Sequence, residues 1–465
     1  MDRNRAEPAV HSFPGPLSER WVAYHHEHAA PSTYVYDFVW DRTADATGPF
    51  VTDVDGNVFM DFATHVASAP LGYNNPKLLD RLGEFDLVDP LKIAGQDFYV
   101  AGGRTDPGEA DIPGPSRLME LLAERSSQYG FDRVFLSNSG AEAVENAIKI
   151  AYDYRDGAKW AITFDGAFHG RTLGALSLNR SKSVHRRKYP EIAGVHDVPF
   201  CRDSSCTEET CSCGFFPSAG DPSELRRRLD PATGTIHPDD VAYIILEPIQ
   251  GEGGYHVPSE EFTGELASLA SEYDIPVIAD EVQSGLGRTG EFWAVDHQPI
   301  EPDVIASGKG LRVGATISRS EVFPEERARL SSTWGGGDIL SSALGVFTIE
   351  VIEEENLMRN ATERGRQLLD RLEADVPDHV VDVRGLGLMG AIELQTRAMR
   401  DAAIEALLQR GLMTLGCGTK TLRFLPPLDV TEREIDLAVD IVLDALDDPA
   451  VHGGEATIDG PEDVL

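Results

Sequence analysis

One lysine of this chain stands between two glycines, because residues 303–310 read Asp-Val-Ile-Ala-Ser-Gly-Lys-Gly. Glycine on both sides of Lys309 permits a sharp turn and the close approach of a ligand. An amine held out of water beside a flat ligand loses proton affinity and becomes a nucleophile towards aldehydes. The chain has only eight lysines, and most of the others lie in polar or charged surroundings. A surface lysine in an ordinary strand-to-loop turn could have the same local sequence. The rest of the chain must therefore distinguish a reactive lysine from an ordinary surface lysine.

Acidic residues follow two apolar segments that precede this lysine. Segments 241–246 and 275–279 read as buried strands, and Glu247 and Asp280 come directly after them. The next predicted strand leads to Lys309. Acidic groups at the carboxyl ends of successive strands mark the ligand edge of a doubly wound sheet. For Asp280, a helix cap and a metal ligand are the alternatives.

A predicted strand-to-helix junction supplies a site for an anion. Strand 133–136 runs into a helix that begins with a capping box of Ser139 and Glu142. The free N–H groups of Gly140 and Ala141 then point off the helix end, where the helix dipole adds partial positive charge. A phosphate fits such a site, although a plain helix cap would look the same.

Phe168 and His169 lie in a loop, 166–172, after predicted strand 161–164. An aromatic ring beside a glycine can stack on a flat ligand, while loop packing is the simpler explanation for either residue alone. An amine nucleophile, a carboxylate, a helix-end phosphate site and a stacking aromatic are together what pyridoxal 5′-phosphate requires. A carboxylate keeps the ring nitrogen protonated so that the ring can accept electrons, and the lysine moves protons.

Composition limits the classes of protein and partner. The 465 residues, 41% of them hydrophobic, suffice for two or three domains with a large core. The formal net charge of −37 argues against a nucleic-acid partner. Acidic residues are spread along the chain and arginine largely replaces lysine, which favours a solvated acidic surface and a halophilic source. Without a bilayer-spanning apolar run or a signal peptide in 1–16, we expect a cytoplasmic protein with no membrane partner.

Alternating strands and helices from about 130 to 310 predict an α/β fold with a mainly parallel sheet sandwiched by helices. A smaller α+β domain is predicted towards the carboxyl terminus. The predicted organisation is an N-terminal arm with part of the small domain (1–75), a large cofactor-binding α/β domain (76–340) with a surface insertion (200–235), a small α+β domain (341–447) and an acidic disordered tail (448–465).

Four of the five cysteines fall within that insertion, namely Cys201, Cys206, Cys211 and Cys213. Four thiols so close together could hold a zinc ion. Their spacing is not that of two Cys-x-x-Cys pairs, so free thiols or one adventitious disulfide are favoured. We therefore assign no metal ligand from the sequence.

Several motifs in order resemble the class III (ω-amino) aminotransferases, which are pyridoxal-phosphate enzymes of fold type I. They are Ser139 to Ala143, Phe168 to Thr172, Glu247 to Gly254, Asp280 to Gly285, and Gly308 with Lys309. Three further stretches resemble lysine 6-aminotransferases within this class, namely 332–336, 384–389 and 422–428. The resemblance covers roughly residues 45 to 445.

The resemblance implies a role for each matching residue and a homodimer with shared active sites. The implied cofactor residues are Lys309 for covalent attachment, Asp280 for the ring nitrogen, Phe168 for the ring face, Gln283 for the phenolic oxygen, Gly140 and Ala141 for the phosphate, and Thr333 for the phosphate of the other subunit.

The resemblance also implies the substrates. Arg423 would bind the α-carboxylate of 2-oxoglutarate or glutamate through a bidentate pair, and Glu252 would pair with Arg423 in the other half-reaction. Arg171 would hold the distant carboxylate of the amino donor. Lysine is the favoured donor, with 4-aminobutyrate or ornithine as alternatives. An amino-acid racemase on the same fold is a further alternative, because the same carbanion chemistry permits it.

Overall fold

The computed structural model describes residues 1–32, 37–84, 106, 113–191 and 194–454. The chain forms two compact units. One combines Met1–Leu79 with the segment that begins at Asn356, and the other is Asp80–Glu355. The second unit is called the large unit below and the first the small unit.

The described strands belong to three sheets. They are β1 (Phe50–Thr52), β2 (Val58–Asp61), β3 (Arg133–Ser137), β4 (Trp160–Phe164), β5 (Gly194–Val198), β6 (Val241–Leu246), β7 (Val277–Asp280), β8 (Val304–Ser307), β9 (Gly314–Ser318), β10 (Val380–Leu386), β11 (Met389–Leu394), β12 (Leu412–Met413), β13 (Leu415–Cys417) and β14 (Thr421–Phe424).

The described helices vary from single turns to long amphipathic segments. They are α1 (Pro16–His26), α2 (Thr64–Ala67), α3 (Pro76–Gly83), α4 (Pro115–Glu124), α5 (Gly140–Tyr154), α6 (Leu173–Leu178), α7 (Ser183–Arg186), α8 (Glu224–Leu229), α9 (Glu260–Tyr273), α10 (Ile339–Glu354), α11 (Leu357–Asp375), α12 (Arg397–Gln409), α13 (Glu432–Leu446) and α14 (Pro449–Gly453).

A seven-stranded sheet in the order β3-β9-β8-β7-β6-β4-β5 forms the centre of the large unit. The adjacent strands β5, β4, β6, β7 and β8 all pair in parallel, whereas β9 pairs antiparallel with both β8 and β3. Every residue of β6 is buried, as expected for a strand covered on both faces. The structure confirms the predicted mainly parallel sheet, while the antiparallel strand β9 was not predicted.

Helix α5 covers one face of this sheet. The helical spacing of Val144, Ala147, Ile148 and Ala151 in the sequence predicts one buried face. These residues are buried, with Val144, Ala147 and Ala151 at 0% exposure and Ile148 at 8%. These side chains share one core cluster with residues of β4, β6, β7 and β8. Helical spacing of apolar residues therefore gave the correct buried face.

The predicted capping box at the start of α5 forms only in part. The Ser139 Oγ accepts a hydrogen bond from the backbone N–H of Glu142 at 3.2 Å, as predicted. The Glu142 carboxylate accepts from the backbone N–H of Asn138 at 2.7 Å, and not from that of Ser139. The second hydrogen bond of the capping box is therefore made to the residue before the N-cap instead of to the N-cap itself.

The small unit contains two smaller sheets. β1 and β2 form an antiparallel hairpin, with Phe50 opposite Met60, and β12 joins β2 in parallel. The other sheet has the order β10-β11-β14-β13, and α11 packs on β10, β11 and α13. This mixture of helices and strands agrees with the predicted α+β domain.

Two details differ from the predicted domain boundaries. α10 lies in the large unit, where it packs on α4, so this unit ends at Glu355 instead of at the predicted position 340. The start of the predicted disordered tail is helical, because 449–453 form α14, which packs on α12. Residues 455–465 lie outside the described part of the chain. Among the described residues, no helix is both long and apolar enough to cross a lipid bilayer.

Candidate active site

Adjacent parallel strands bring the predicted acid and the predicted lysine to one edge of the large sheet. β7 ends at Asp280, whose partner on β8 is Ala306, and Lys309 follows shortly after the end of β8. Glu247 follows β6, which pairs in parallel with β7. Because the carboxyl ends of parallel strands meet at the same edge, these three residues belong to one site.

Lys309 begins a tight turn that rests on the first turn of α5. The turn is a 3₁₀ helix, Lys309–Leu311, and Lys309 has a φ of 47°, in the left-handed region. A Cβ built on Gly308 would lie 2.9 Å from the Cα and 3.0 Å from the backbone nitrogen of Gly140. A residue without a side chain is therefore needed at position 308 for the lysine turn to lie against the helix.

The start of α5 is enclosed as a phosphate site requires. Gly140 and Ala141 are its first residues, with Ser139 at the N-cap. A Cβ on Gly140 would lie 2.6 Å from the Val282 Cγ1, and one on Gly170 would lie 2.8 Å from the Ala141 Cβ. The loops after β4 and β7 thus surround free backbone N–H groups at the positive end of a helix dipole.

Asp280 is held by a buried histidine whose role the sequence did not reveal. Asp280 Oδ2 lies 2.8 Å from His169 Nδ1, and Asp280 Oδ1 accepts from the Val282 backbone N–H at 3.1 Å. Asp280 and His169 are only 5% and 3% exposed. His169 is fixed in turn, because its backbone N–H donates to Asn179 Oδ1 at 2.7 Å. The acid is therefore oriented before any ligand binds.

Glu247 joins two loops of the site. Its Oε1 accepts from the backbone N–H of Phe168 and its Oε2 from that of Gly251, each at 2.9 Å. Burial raises the pKa of Glu247 to about 7; the nearby Asp280 acts in the same direction and His169 opposes it. The Glu247 carboxyl group therefore titrates near neutral pH inside the site.

Phe168 and Arg171 lie side by side. The Arg171 guanidinium is 5.6 Å from the centroid of the Phe168 ring, and His185 meets that ring edge-on at 5.4 Å. The structure thus brings the residue predicted to stack on the cofactor next to the residue predicted to hold the donor's distant carboxylate. Both roles stay predictions.

Gln283 carries a buried polar atom that suits a ligand. Its Oε1 has no hydrogen-bond partner among the residues that the structure describes. Buried polar atoms are normally paired, and the two ends of a side-chain amide are interchangeable in shape. The amide is consistent with the predicted contact to the phenolic oxygen of the cofactor.

Glu252 pairs with a lysine that the sequence analysis did not single out. Lys182 Nζ donates to Glu252 Oε1 at 2.5 Å, and their side chains are 13% and 4% exposed. Arg423, the partner that the resemblance implies for Glu252, is buried in β14 of the small unit. Lys182 is therefore a cationic partner of Glu252 within the large unit, and the pairing with Arg423 stays a prediction.

Thr333 lies at the start of α5 in its own chain. Its hydroxyl accepts from Asn138 Nδ2 at 2.7 Å and lies 3.4 Å from Glu142 Oε1. The predicted contact of Thr333 with the phosphate of the other subunit involves a second chain and stays a prediction.

These residues fit pyridoxal phosphate, because the site combines an enclosed helix terminus, an oriented buried carboxylate and a buried amide oxygen available to a ligand. The groups that could hold it are the N–H groups of Gly140 and Ala141 for the phosphate, Asp280 for the ring nitrogen, Phe168 for the ring, Gln283 for the phenolic oxygen and Lys309 for the aldehyde.

Comparison with known proteins decides the family. The model of the aminotransferase class-III family matches residues 111–446, well over half of the chain. The chain belongs to the class-III aminotransferases. An L-lysine-epsilon aminotransferase from Mycobacterium tuberculosis is 34% identical over 432 residues, which cover 88% of this chain and 92% of that protein. An acetylornithine aminotransferase from Archaeoglobus fulgidus is 32% identical over 402 residues, covering 85% and 93%.

A solved structure agrees with the sequence relatives. Lysine aminotransferase from M. tuberculosis superposes with a TM-score of 0.81 at 32% identity, covering 93% of this chain and 99% of that chain. The chain is therefore a pyridoxal-phosphate-dependent transaminase with an α/β fold of type I. These findings confirm the family, the fold class and the type of reaction expected from the sequence motifs.

Replacing Gly308 by alanine should weaken binding of the cofactor. The new Cβ would meet the Gly140 backbone at 2.9 Å, and overpacking of this kind typically costs about 1–3 kcal/mol. We expect the dissociation constant, measured by titrating cofactor-free protein with pyridoxal phosphate, to rise by about tenfold or more. Gly264→Ala is the control, because its Cβ would meet Pro299 Cγ at an ordinary 3.9 Å. Unchanged affinity in Gly308→Ala would contradict the close packing.

Glu247 should make the stability of the cofactor-free protein depend on pH. Burial raises its folded pKa from 4.5 to about 7, so between these values the folded state keeps a proton that the unfolded state releases. The free energy of unfolding therefore falls as pH rises from about 4.5 to 7, by on the order of 3 kcal/mol from this group. In denaturant titrations at several pH values, the free energy of unfolding of Glu247→Gln should fall less steeply with pH than that of wild type. Glu209→Gln, which changes an exposed residue, should show the wild-type dependence. Equal slopes in Glu247→Gln and wild type would refute the raised pKa.

Proposed function

We propose that this transaminase moves an ω-amino group from an amino acid, with lysine as the favoured donor, to 2-oxoglutarate, giving a semialdehyde and glutamate. The similarity to lysine aminotransferases over most of both chains supports the donor. The observation that carries the chemistry is the placement of Lys309 and the histidine-held Asp280 at the ends of neighbouring parallel strands.

The proposed cofactor is pyridoxal 5′-phosphate bound by the residues described above. When bound, it supplies an aldehyde that captures amino groups and a ring that accepts electrons. Asp280 would hold a proton on the ring nitrogen, and His169 would keep the Asp280 carboxylate aimed at that atom. Phe168 would fix the plane of the ring, while Gly140 and Ala141 would bind the phosphate.

Lys309 would have two tasks in this site. Its amine would attach the cofactor covalently. Once displaced by the incoming amino group, the same amine would take the proton from the carbon that bears the substrate nitrogen and deliver it to the cofactor. The rigid glycine-flanked turn beside α5 would hold the amine within reach for both tasks.

One pocket must accept an amino donor in the first half-reaction and an α-carboxylate in the second. We propose that Arg423 binds the α-carboxylate of 2-oxoglutarate, and that Glu252 neutralises Arg423 when the donor presents an apolar chain. The ion pair with Lys182 would hold the Glu252 carboxylate in place. Arg171 would bind the distant carboxylate of the donor.

Three broader proposals follow from the resemblance and the composition. We propose a homodimer in which Thr333 of one subunit reaches the phosphate of the other. The net charge of −37 supports a halophilic source with a solvated acidic surface, and we propose a cytoplasmic location. The native mass of the protein in solution, compared with the mass of one chain, would test the homodimer. Activity at a series of salt concentrations would test the halophilic source.

A donor panel tests the proposed reaction. The holoenzyme would be incubated at high salt with 2-oxoglutarate and either lysine, ornithine, acetylornithine or 4-aminobutyrate. We expect lysine to give the highest kcat/KM, one glutamate per lysine consumed, and a semialdehyde identified by mass spectrometry after trapping. Lys309→Ala is the control and should give no turnover, because it lacks both the attachment point and the base.

Other results would redirect or reject the proposal. A higher kcat/KM for ornithine, acetylornithine or 4-aminobutyrate would refute lysine as the donor while keeping transamination. Appearance of the opposite enantiomer without any oxo acid, and without glutamate in the full reaction, would favour the racemase alternative. Activity in Lys309→Ala at the wild-type rate would refute the role of that lysine.

A further inference from the structure

The loop between β5 and α8 brings together the sulfur atoms of four cysteines. The Sγ atoms of Cys201, Cys206 and Cys213 all lie within 4.8 Å of one another. The Sγ of Cys211 lies 3.2 Å from that of Cys213. In a tetrahedral site with Zn–S bonds of about 2.3 Å, neighbouring sulfurs are roughly 3.8 Å apart. Small side-chain shifts would therefore place all four sulfurs around one ion.

The four cysteines are not joined by disulfides. All are free thiols, and Cys201 and Cys206 are buried. Four thiols that converge from three separate points of one loop match the closed, four-coordinate ligand set of a structural zinc site. A cluster of several iron ions requires its ligand sulfurs farther apart than a single ion does, so the spacing favours a mononuclear site.

Neighbouring groups support the sulfurs as they do in metal sites. The backbone N–H of Phe216 donates to Cys211 Sγ at 3.4 Å. Gly214, with a φ of 89°, provides the left-handed turn that directs this N–H back towards the sulfur. Cys201 Sγ lies 3.6 Å from the hydroxyl of Ser259, which caps α9. Such outer contacts orient ligands and stabilise thiolate charge.

The cysteines lie in a long irregular segment that a cross-link would stabilise. Residues 199–223 contain no helix or strand, which is long for an irregular segment inside a compact domain. The segment nevertheless inserts Phe200 and Phe215 into the core, where their rings lie 5.2 Å and 4.5 Å from that of Phe262 on α9. The predicted surface insertion is therefore partly buried, and a cross-link between its cysteines would hold both rings in place.

We propose that Cys201, Cys206, Cys211 and Cys213 bind one structural Zn²⁺ that cross-links segment 199–223 beside α9 in the large unit. The ion would be held by four thiolates with no open position, so it would not take part in the transamination. Binding would release the thiol protons and add the binding free energy to the stability of the folded state.

Metal analysis of the purified protein tests this proposal. Protein prepared without added metal and washed with a weak chelator should contain one zinc per chain by plasma mass spectrometry. Cys206→Ser should lose the zinc and unfold at a lower temperature, since a three-thiolate site binds more weakly. Cys417→Ser is the matched control, because Cys417 is a buried cysteine in β13 of the small unit and should leave the zinc content unchanged.

A second measurement needs no variant and remains valid if Cys206→Ser fails to fold. Titration of wild-type protein with a mercurial reagent should release one zinc per chain, detected with a coloured chelator. Protein refolded with Co²⁺ should show the red-region absorption of tetrahedral Co²⁺–thiolate, where pyridoxal phosphate does not absorb. Three results would overturn the proposal: wild-type protein without zinc and without Co²⁺–thiolate absorption, a disulfide among these cysteines in peptide mass spectra, or iron in place of zinc.

Discussion

The parallel pairing of β7 with β8 is the constraint on which the site depends. With Asp280 opposite Ala306, the acid and the lysine turn emerge at the same edge of the sheet, although they come from separate segments. The flanking strands then add their own contributions at this edge, namely His169 after β4, Glu247 after β6 and the start of α5 after β3. A slip of this pairing by one residue would move the Asp280 side chain to the opposite face of the sheet, so the register of β7 against β8 fixes the position of this carboxylate.

The site also contains two buried carboxyl groups, those of Asp280 and Glu247. Asp280 and Glu247 are nearly inaccessible to water, and burying a carboxylate is costly unless hydrogen bonds compensate. Asp280 contacts a histidine ring nitrogen and accepts a hydrogen bond from one backbone N–H, whereas Glu247 accepts hydrogen bonds from two backbone N–H groups. The two carboxyl groups thus have different surroundings, and burial raises the pKa of Glu247 to about 7. In the proposed function Asp280 pairs with the ring nitrogen, while Glu247 chiefly connects the loops around it.

Sequence reasoning located the parts of the site that local patterns encode. The glycine-flanked Lys309, the acid at the end of β7 and the helix start at Gly140 each follow from short-range rules. The contacts that support them could not be predicted in this way, because they join distant positions. His169 and Asp280 are 111 residues apart, and Lys182 and Glu252 are 70 apart. The four cysteines also lacked a recognised spacing, and only the folded loop shows that their sulfurs converge.

Reduction of the holoenzyme with borohydride tests the central claim most directly, because it makes the bond between the cofactor and its lysine permanent. After proteolysis, peptide mass spectrometry identifies the modified residue. The account predicts the added mass of reduced pyridoxal phosphate on Lys309 and on no other lysine. Modification of a different lysine, or of none, would contradict it.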